Sequence, residues 1–123
     1  MLTLNSLCAA DSVLVPVQCE YFALEGIYDL MQSVKMTKKA LNPELVLEGV
    51  VLTMFDARTN FSSQVAEEIK RFFKEKTFNT VIPRSVRLAE APSHGKAIID
   101  YDNSSSGAAA YYSLGKELLK RNR

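Results

Sequence analysis

Short, continuous apolar runs and longer runs with helical spacing alternate along the chain. Residues 12–17 and 48–55 are apolar runs of strand length, and residues 80–82 form a shorter one. Such runs are typical of strands that are covered on both faces. Because proline cannot donate to a strand ladder, Pro16 is expected near the end or the edge of the sheet. Residues 97–99 are a candidate fourth strand.

Four segments have the apolar spacing or the end signals of helices. They are residues 2–10, residues 22–41 ending at Asn42-Pro43, a third helix capped by Asn60, and residues 104–120 after a serine cap. The buried face of the third helix is predicted to carry Val65, Ile69 and Phe72. Alternation of buried strands with helices predicts an α/β fold, a parallel sheet with helices on both faces, and residues 1–123 as one domain.

Composition and charge restrict the function classes only slightly. Hydrophobic residues make up 47% and charged residues 24%, which is ordinary for a globular domain. Residues 58–96 carry eight Lys or Arg against four Asp or Glu, a net +4, whereas the whole chain has +1. This basic region permits a polyanionic partner. Cys8 and Cys19 lack metal-site spacing, and no signal peptide or membrane-spanning run occurs, so we expect a cytoplasmic protein without a membrane partner.

Three loops follow the carboxyl ends of the clearest strands, at residues 18–26, 53–60 and 83–90. In an open parallel sheet these loops converge on one rim, which is where ligands bind. A phosphate loop of the form G-x-x-x-x-G-K-[ST] is absent from the sequence. The pattern therefore predicts a nucleotide-type site without its phosphate-binding part.

Four stretches carry a family resemblance: VPVQCEYFALEG, LNPELVLEGVVLTMFDARTN, TVIPRSVRLAEAPSHGKAIIDYD and GAAAYYSLGKEL. In this order they resemble the C-terminal half of the ParA/Soj chromosome- and plasmid-partitioning ATPases, relatives of MinD. The resemblance implies part of a three-layer, P-loop NTPase-like (deviant Walker) fold whose N-terminal half is missing. It also implies ATP and Mg²⁺ as cofactors of the complete protein, non-specific DNA and a ParB-like protein as partners, and a nucleoid-associated location.

The resemblance assigns roles to residues at two strand ends. Thr53 and Met54 would lie beside the adenine, and Pro83 and Arg84 would form the other wall of the base pocket. Ser85 stands where some relatives have an acid. A base pocket needs apolar walls and a few backbone hydrogen bonds, which strand-end loops can supply.

Arg58 and Arg87 match basic positions that are linked to DNA binding in Soj-like proteins. Such contacts would set affinity and salt dependence without reading base sequence. From the residues alone, both arginines, like Arg84, could equally be solvated loop side chains. Asp56 is interpreted as a turn or capping residue, and His94 as a loop residue.

No catalytic or metal-binding residue is assigned, because the family's phosphate loop, catalytic lysines and Walker B strand have no counterpart in the sequence. The first interpretation is the C-terminal portion of a partitioning ATPase that is inactive alone. The alternatives are a stand-alone, non-catalytic DNA- or partner-binding module and an inert remnant. An incomplete sheet should expose an apolar strand edge, so self-association is also expected.

Overall fold

A computed structural model describes residues 1–20 and 22–122 of the protein. Its strands are β1 (Ser12–Gln18), β2 (Val46–Phe55) and β3 (Thr77–Pro83), and among the described residues they form one sheet in the order β1-β2-β3. The helices are α1 (Leu2–Ala9), α2 (Ala23–Ala40), α3 (Asn60–Phe73), α4 (Val86–Glu90), α5 (Ile98–Tyr101) and α6 (Ser106–Arg121). Two single-turn 3₁₀ segments, Lys74–Lys76 and Ala91–His94, complete the order.

Strand β2 is the centre of the sheet and pairs in parallel with both neighbours. Val50 and Leu52 are fully buried on one face, and Val51 is 2% exposed on the other. A strand that is buried on both faces must be covered by two helical layers. The predicted α/β fold with a parallel sheet is thus confirmed.

Each face of the sheet has its own helical layer. Helices α2 and α3 pack on the face that carries Val50 and Leu52, through Ile27 and Ile69 among others. Helix α6 covers the opposite face, where Leu114 and Leu118 pack against Val51, Phe78 and Ile82. The result is the three-layer arrangement expected from the sequence.

Strand β1 is an edge strand, as the position of Pro16 predicted. Val15 and Val17 are buried while Pro16 is exposed, so β1 is covered fully on one face only, in contrast to the prediction of burial on both faces.

Asn42 anchors the C-terminal end of helix α1, because its side-chain amide donates to the carbonyls of Leu7, Cys8 and Ala10 at 3.0, 3.1 and 2.9 Å. These bonds satisfy carbonyl groups that the end of α1 leaves open.

The prediction of a strand at residues 97–99 is wrong. This segment opens the short helix α5 (Ile98–Tyr101), after a turn in which Gly95 has a left-handed φ of 66°. Helical spacing brings Ile98 and Tyr101 to one side, where they pack against a small cluster containing Ala91 and Ala108. A three-residue apolar run cannot by itself distinguish the two structures.

A serine, Ser105, caps α6 as predicted, whereas two local assignments are shifted by one residue from their predicted positions. Thr59, and not Asn60, caps α3 by accepting a hydrogen bond from the Ser62 N–H at 3.2 Å. Phe73 is 9% exposed whereas Phe72 is 73% exposed, so Phe73 is the buried aromatic residue. In each case neighbouring residues of similar chemistry compete, and helical phase selects one.

A carboxylate on α6 binds the outer edge of β3. Glu117 accepts hydrogen bonds from the backbone N–H groups of Asn79 and Thr80, both at 2.8 Å, and from the Thr80 hydroxyl at 2.7 Å. Arg121 pairs with Glu117 at 2.9 Å, donates to the Thr77 carbonyl and lies 4.3 Å from the centroid of the Phe78 ring. These contacts occupy polar groups that an edge strand otherwise leaves open.

These bonds favour the charged form of Glu117. Burial alone would raise the pKa of Glu117, but the hydrogen bonds from Asn79, Thr80 and Arg121 outweigh it and lower the pKa below its ordinary value. A carboxyl group whose pKa is lowered on folding stabilises the fold above its unfolded pKa, and that contribution is lost as the pH falls through the folded pKa.

Gly49 is predicted to tolerate no side chain. A Cβ at this position would lie 2.6 Å from the Lys76 carbonyl oxygen and against the Phe78 ring. We expect Gly49→Ala to lower the free energy of unfolding by about 1–3 kcal/mol, since the backbone carbonyl cannot move aside. Gly115→Ala, at a helical site with open space around it, should instead raise it by about 0.5–1 kcal/mol. Chemical denaturation measures both, and a neutral Gly49→Ala would contradict the close approach.

Glu117→Gln is predicted to destabilise the protein in a pH-dependent way. At neutral pH the free energy of unfolding should fall by about 1–3 kcal/mol, because backbone donors of β3 lose their charged acceptor. The difference in free energy of unfolding between the variant and the wild type should become smaller as the pH falls below about 4.3, the ordinary pKa of a Glu in the unfolded chain. Glu67→Gln, at an exposed position on α3, is the matched control. A gap that stays constant in denaturation curves from neutral to acid pH would refute this account.

Candidate functional site

The carboxyl ends of all three strands meet at one edge of the sheet, as predicted. The Cys19 N–H donates to the Thr53 carbonyl at 3.0 Å, which ties the end of β1 to β2. The Arg84 N–H donates to the Phe55 carbonyl at 2.9 Å, which ties the end of β3 to β2. We call this edge, residues 53–58 and 83–87, the strand-end rim.

Met54 has the most unusual backbone of the rim. Its φ of 53° lies in the left-handed region, which side chains other than glycine rarely occupy. The register between β2 and β3 is irregular in the same stretch, between Leu52 and Phe55. A strained, non-glycine residue of this kind costs on the order of 1–3 kcal/mol and is concentrated at functional sites. Nothing in the sequence signals this conformation, since methionine has no preference for it.

The structure brings the predicted base-pocket residues together on two adjacent strand ends. Thr53 and Met54 lie at the end of β2 and Pro83 at the end of β3, and all three are half-buried. Phe55 and Pro83 are direct partners in the strand register. The rim therefore presents half-buried side chains from two adjacent strand ends.

Arg84 and Ser85 differ in which of their polar groups already have a partner in the fold. The Arg84 side chain is exposed, while its backbone N–H is already used in the sheet. The Ser85 hydroxyl caps α4 by accepting from the Leu88 N–H at 3.4 Å. The structure thus gives Ser85 a local structural role as the cap of α4.

Arg58 is held by Asp56, two residues before it. The Arg58 Nε and Nη2 atoms donate to the two carboxylate oxygens of Asp56 at 3.0 and 3.1 Å, and the Arg58 backbone N–H donates at 3.0 Å. The Asp56 carbonyl accepts from the Thr59 N–H at 3.1 Å, which confirms Asp56 as a turn residue. The hydrogen bond between the two side chains lowers the pKa of Asp56 and raises the pKa of Arg58.

Arg87 lies between two acids. Its Nε is 3.4 Å from an Asp102 oxygen and its Nη1 is 3.7 Å from a Glu90 oxygen. Glu90 also accepts from the Tyr101 hydroxyl at 2.7 Å, and this bond raises the pKa of Tyr101. Sequence reasoning missed these ion pairs. The Asp56-x-Arg58 spacing could have indicated one of them, whereas Asp102 lies too far along the chain from Arg87.

The remaining candidates have no catalytic geometry. His94 was interpreted as a loop residue, but it is the last residue of the 3₁₀ segment Ala91–His94, with Nδ1 3.2 Å from the Glu90 carbonyl oxygen and its ring centroid 4.9 Å from that of Tyr101. Burial raises the pKa of the Cys19 thiol. In the part of the chain that the structure describes, no group of three His, Cys, Asp or Glu could hold a metal ion. Within those residues, too, no helix is both long and apolar enough to cross a bilayer.

Comparison with known sequences gives close matches over almost the whole chain. The sporulation initiation inhibitor protein Soj of Bacillus subtilis is 58% identical over 118 residues, which cover 96% of this chain and 47% of Soj. The chromosome partitioning protein ParA of Myxococcus xanthus is 54% identical, covering 98% and 43%. The chain thus spans about half the length of these curated relatives. A family model described as an AAA domain matches residues 1–47.

Solved structures with the same fold include cobyrinic acid a,c-diamide synthase from Mycobacterium smegmatis. It superposes with a TM-score of 0.76 at 30% identity, over 99% of this chain and 43% of the enzyme. The same enzyme with a bound ATP analogue and magnesium gives a TM-score of 0.73. The architecture of β1, β2 and β3 with their helices is therefore that of a P-loop NTPase-like fold.

Proposed function

The chain belongs to the ParA/Soj family of chromosome-partitioning proteins, and we propose that it supplies the base-facing and DNA-facing part of a partitioning ATPase. In this proposal residues 1–123 act as one domain, equivalent to the C-terminal half of the ATPase unit. Its work in the cell is carried out in the cytoplasm, on the nucleoid. A ParB-like protein is the partner that the family relationship supports.

The observation that carries the proposal is the hydrogen bond between the Arg84 N–H and the Phe55 carbonyl at 2.9 Å. It brings Thr53 and Met54 next to Pro83, so that the half-buried side chains of Met54 and Pro83 stand on neighbouring strand ends. An adenine ring is flat and apolar on its faces, and we propose that it packs against these side chains. The strained backbone of Met54 supports a binding role for this position.

The adenine part of ATP fits the residues present better than the phosphates and the metal do. When bound in a complete ATPase, ATP supplies the chemistry of γ-phosphoryl transfer. Met54 and Pro83 would hold the base, and Arg84 and Ser85 would flank it. The 123 residues contain no G-x-x-x-x-G-K-[ST] motif, and the described residues contain no cluster of metal ligands, so we assign Mg²⁺ and the phosphates to no residue of this chain.

DNA binding is assigned to the rim through Arg58 and Arg87. Both side chains are exposed, at 86% and 56%, and both follow strand ends on the same edge of the sheet. A guanidinium group binds phosphate oxygens through its fork of donors. Contacts of this kind are independent of base sequence, which suits a protein that moves over DNA.

Self-association is supported by open apolar surface on the side of β1. Met1 and Leu2 are 97% and 83% exposed, and a groove of about 410 Å³ runs between α1 and α2. Contiguous apolar surface of this kind is typical of interfaces. We propose that a second copy of the chain covers it.

Adenosine without phosphates is predicted to bind weakly at the rim and to shift the methyl resonance of Met54. The base contacts are present in this chain, so a dissociation constant near 1 mM, about −4 kcal/mol, is expected. Methionine-methyl NMR measures it, with exposed Met36 on α2 as an internal control. Equal shifts at Met36 and Met54, or none at Met54, would contradict the base pocket.

DNA binding by the chain is predicted to fall with salt and to depend on Arg58 and Arg87. Each of Arg58→Ala and Arg87→Ala should weaken binding to any duplex sequence. Each should also reduce the slope of log affinity against log salt by about 1, since each removes one phosphate contact. Arg71→Ala, an arginine of α3 that pairs with Glu68, is the matched control. Fluorescence anisotropy across a salt series measures this, and unchanged binding in the double variant would refute the assignment.

A further inference from the structure

Both arginines of the proposed DNA surface are engaged by carboxylates of the same chain. Asp56 takes the Nε/Nη2 edge of Arg58 with two bonds of 3.0 and 3.1 Å. That edge is one of the two that a guanidinium group can present to a phosphate as a fork. A phosphate that approaches Arg58 therefore meets either a single remaining edge or a competing carboxylate.

Arg87 is engaged from two sides. Asp102 lies 3.4 Å from its Nε and Glu90 lies 3.7 Å from its Nη1. Asp102 is fixed in turn, because the Ser104 hydroxyl donates to its other oxygen at 3.0 Å. The guanidinium carbon of Arg87 also lies 5.9 Å from the centroid of the Tyr101 ring. The side chain is thus held close to the protein surface.

Carboxylates offset the positive charge of Arg58 and Arg87. Two arginines face three carboxylates, so the two clusters together carry a net charge of −1 rather than +2. DNA is a dense line of negative charge, and each carboxylate beside an arginine opposes its approach. Asp56 also lies close enough to Arg84 for that cation to help lower the pKa of the Asp56 carboxyl group, so its charge acts across the rim.

We propose that Asp56 and Asp102 are masking residues, which set the DNA affinity of this surface by competing with backbone phosphates for Arg58 and Arg87. This inference rests on the DNA-binding role proposed above. Ion pairs between exposed side chains are weak, so a phosphate can displace the carboxylates. The two carboxylates thus lower the affinity for DNA and keep DNA binding reversible, but they do not abolish it.

A carboxylate can also orient an arginine for binding. Competition with phosphate lowers the DNA affinity, whereas orientation of the arginine raises it. Asp56 holds the Arg58 backbone N–H as well as its side chain, so removing the whole carboxylate would disturb the turn. Asp56→Asn largely separates the effects, because its amide oxygen can replace Oδ1 as acceptor for the Arg58 backbone N–H and Nε, whereas the negative charge and the bond from Nη2 are lost. Asp102→Asn does the same beside Arg87 and does not touch the turn before α3.

The test is binding of a short random-sequence DNA duplex to the wild type, Asp56→Asn, Asp102→Asn and the double variant. We expect each single variant to bind about 3–10-fold more tightly at low salt and the double variant more tightly still, with the gain fading at high salt. Asp11→Asn is the matched control, because Asp11 precedes β1 at the opposite edge of the sheet and changes the net charge equally. Circular dichroism verifies that every variant is folded.

The outcomes separate this inference from the function on which it rests. Equal or weaker binding by both Asn variants, with binding still lost in Arg58→Ala and Arg87→Ala, would overturn masking and leave the DNA surface intact. An equal gain in Asp11→Asn would mean that only net charge matters, which also overturns masking. If even the double Asn variant fails to bind at low salt, both the masking and the DNA-binding role are wrong.

Discussion

Strand β2 is buried on both faces and paired along both edges, and this constraint places β1, β3 and the helices that cover the sheet. Its fully buried residues, Val50 and Leu52, need α2 and α3 on one side, and Val51 needs α6 on the other. Because β2 pairs in parallel with β1 and β3, all three strands run in the same direction. The strand-end rim is a direct consequence, because parallel strands must release their loops at a common edge.

The sequence alone predicted most of these strands and helices, because they follow from the local pattern of hydrophobic residues. The apolar run around Val50 indicated a covered strand, and Pro16 was expected near the end or the edge of the sheet. The convergence of Thr53 with Pro83 followed from parallel order. The predictions failed for one short segment and for the exact helix boundaries. Residues 97–99 begin a helix instead of forming a strand, and Thr59 caps α3 in place of its neighbour Asn60. Such choices are decided by packing, which a single sequence does not display.

The chemistry of the rim was less accessible to sequence reasoning because it depends on contacts between distant residues. Arg87 was expected as a free cation, but Asp102 reaches it through the turn formed after Gly95. Glu117 reaches β3 from a helix 38 residues further along the chain, and its role has no motif. The left-handed conformation of Met54 is imposed by the end of β2 and is contrary to the preference of the residue. Resemblance named candidate positions, and only the structure supplied their hydrogen-bond and ion-pair partners.

Asn42 has a consequence for the chemical ageing of the protein. Its amide is the donor that closes α1, and deamidation would turn that donor into a carboxylate facing the carbonyls of Leu7, Cys8 and Ala10. Asparagine deamidates when the backbone nitrogen of the next residue attacks the side-chain carbonyl. Pro43 has no N–H and cannot do so readily. The exposed Asn5 and Asn103 are each followed by serine, so covalent damage accumulates on the surface before it reaches this anchor.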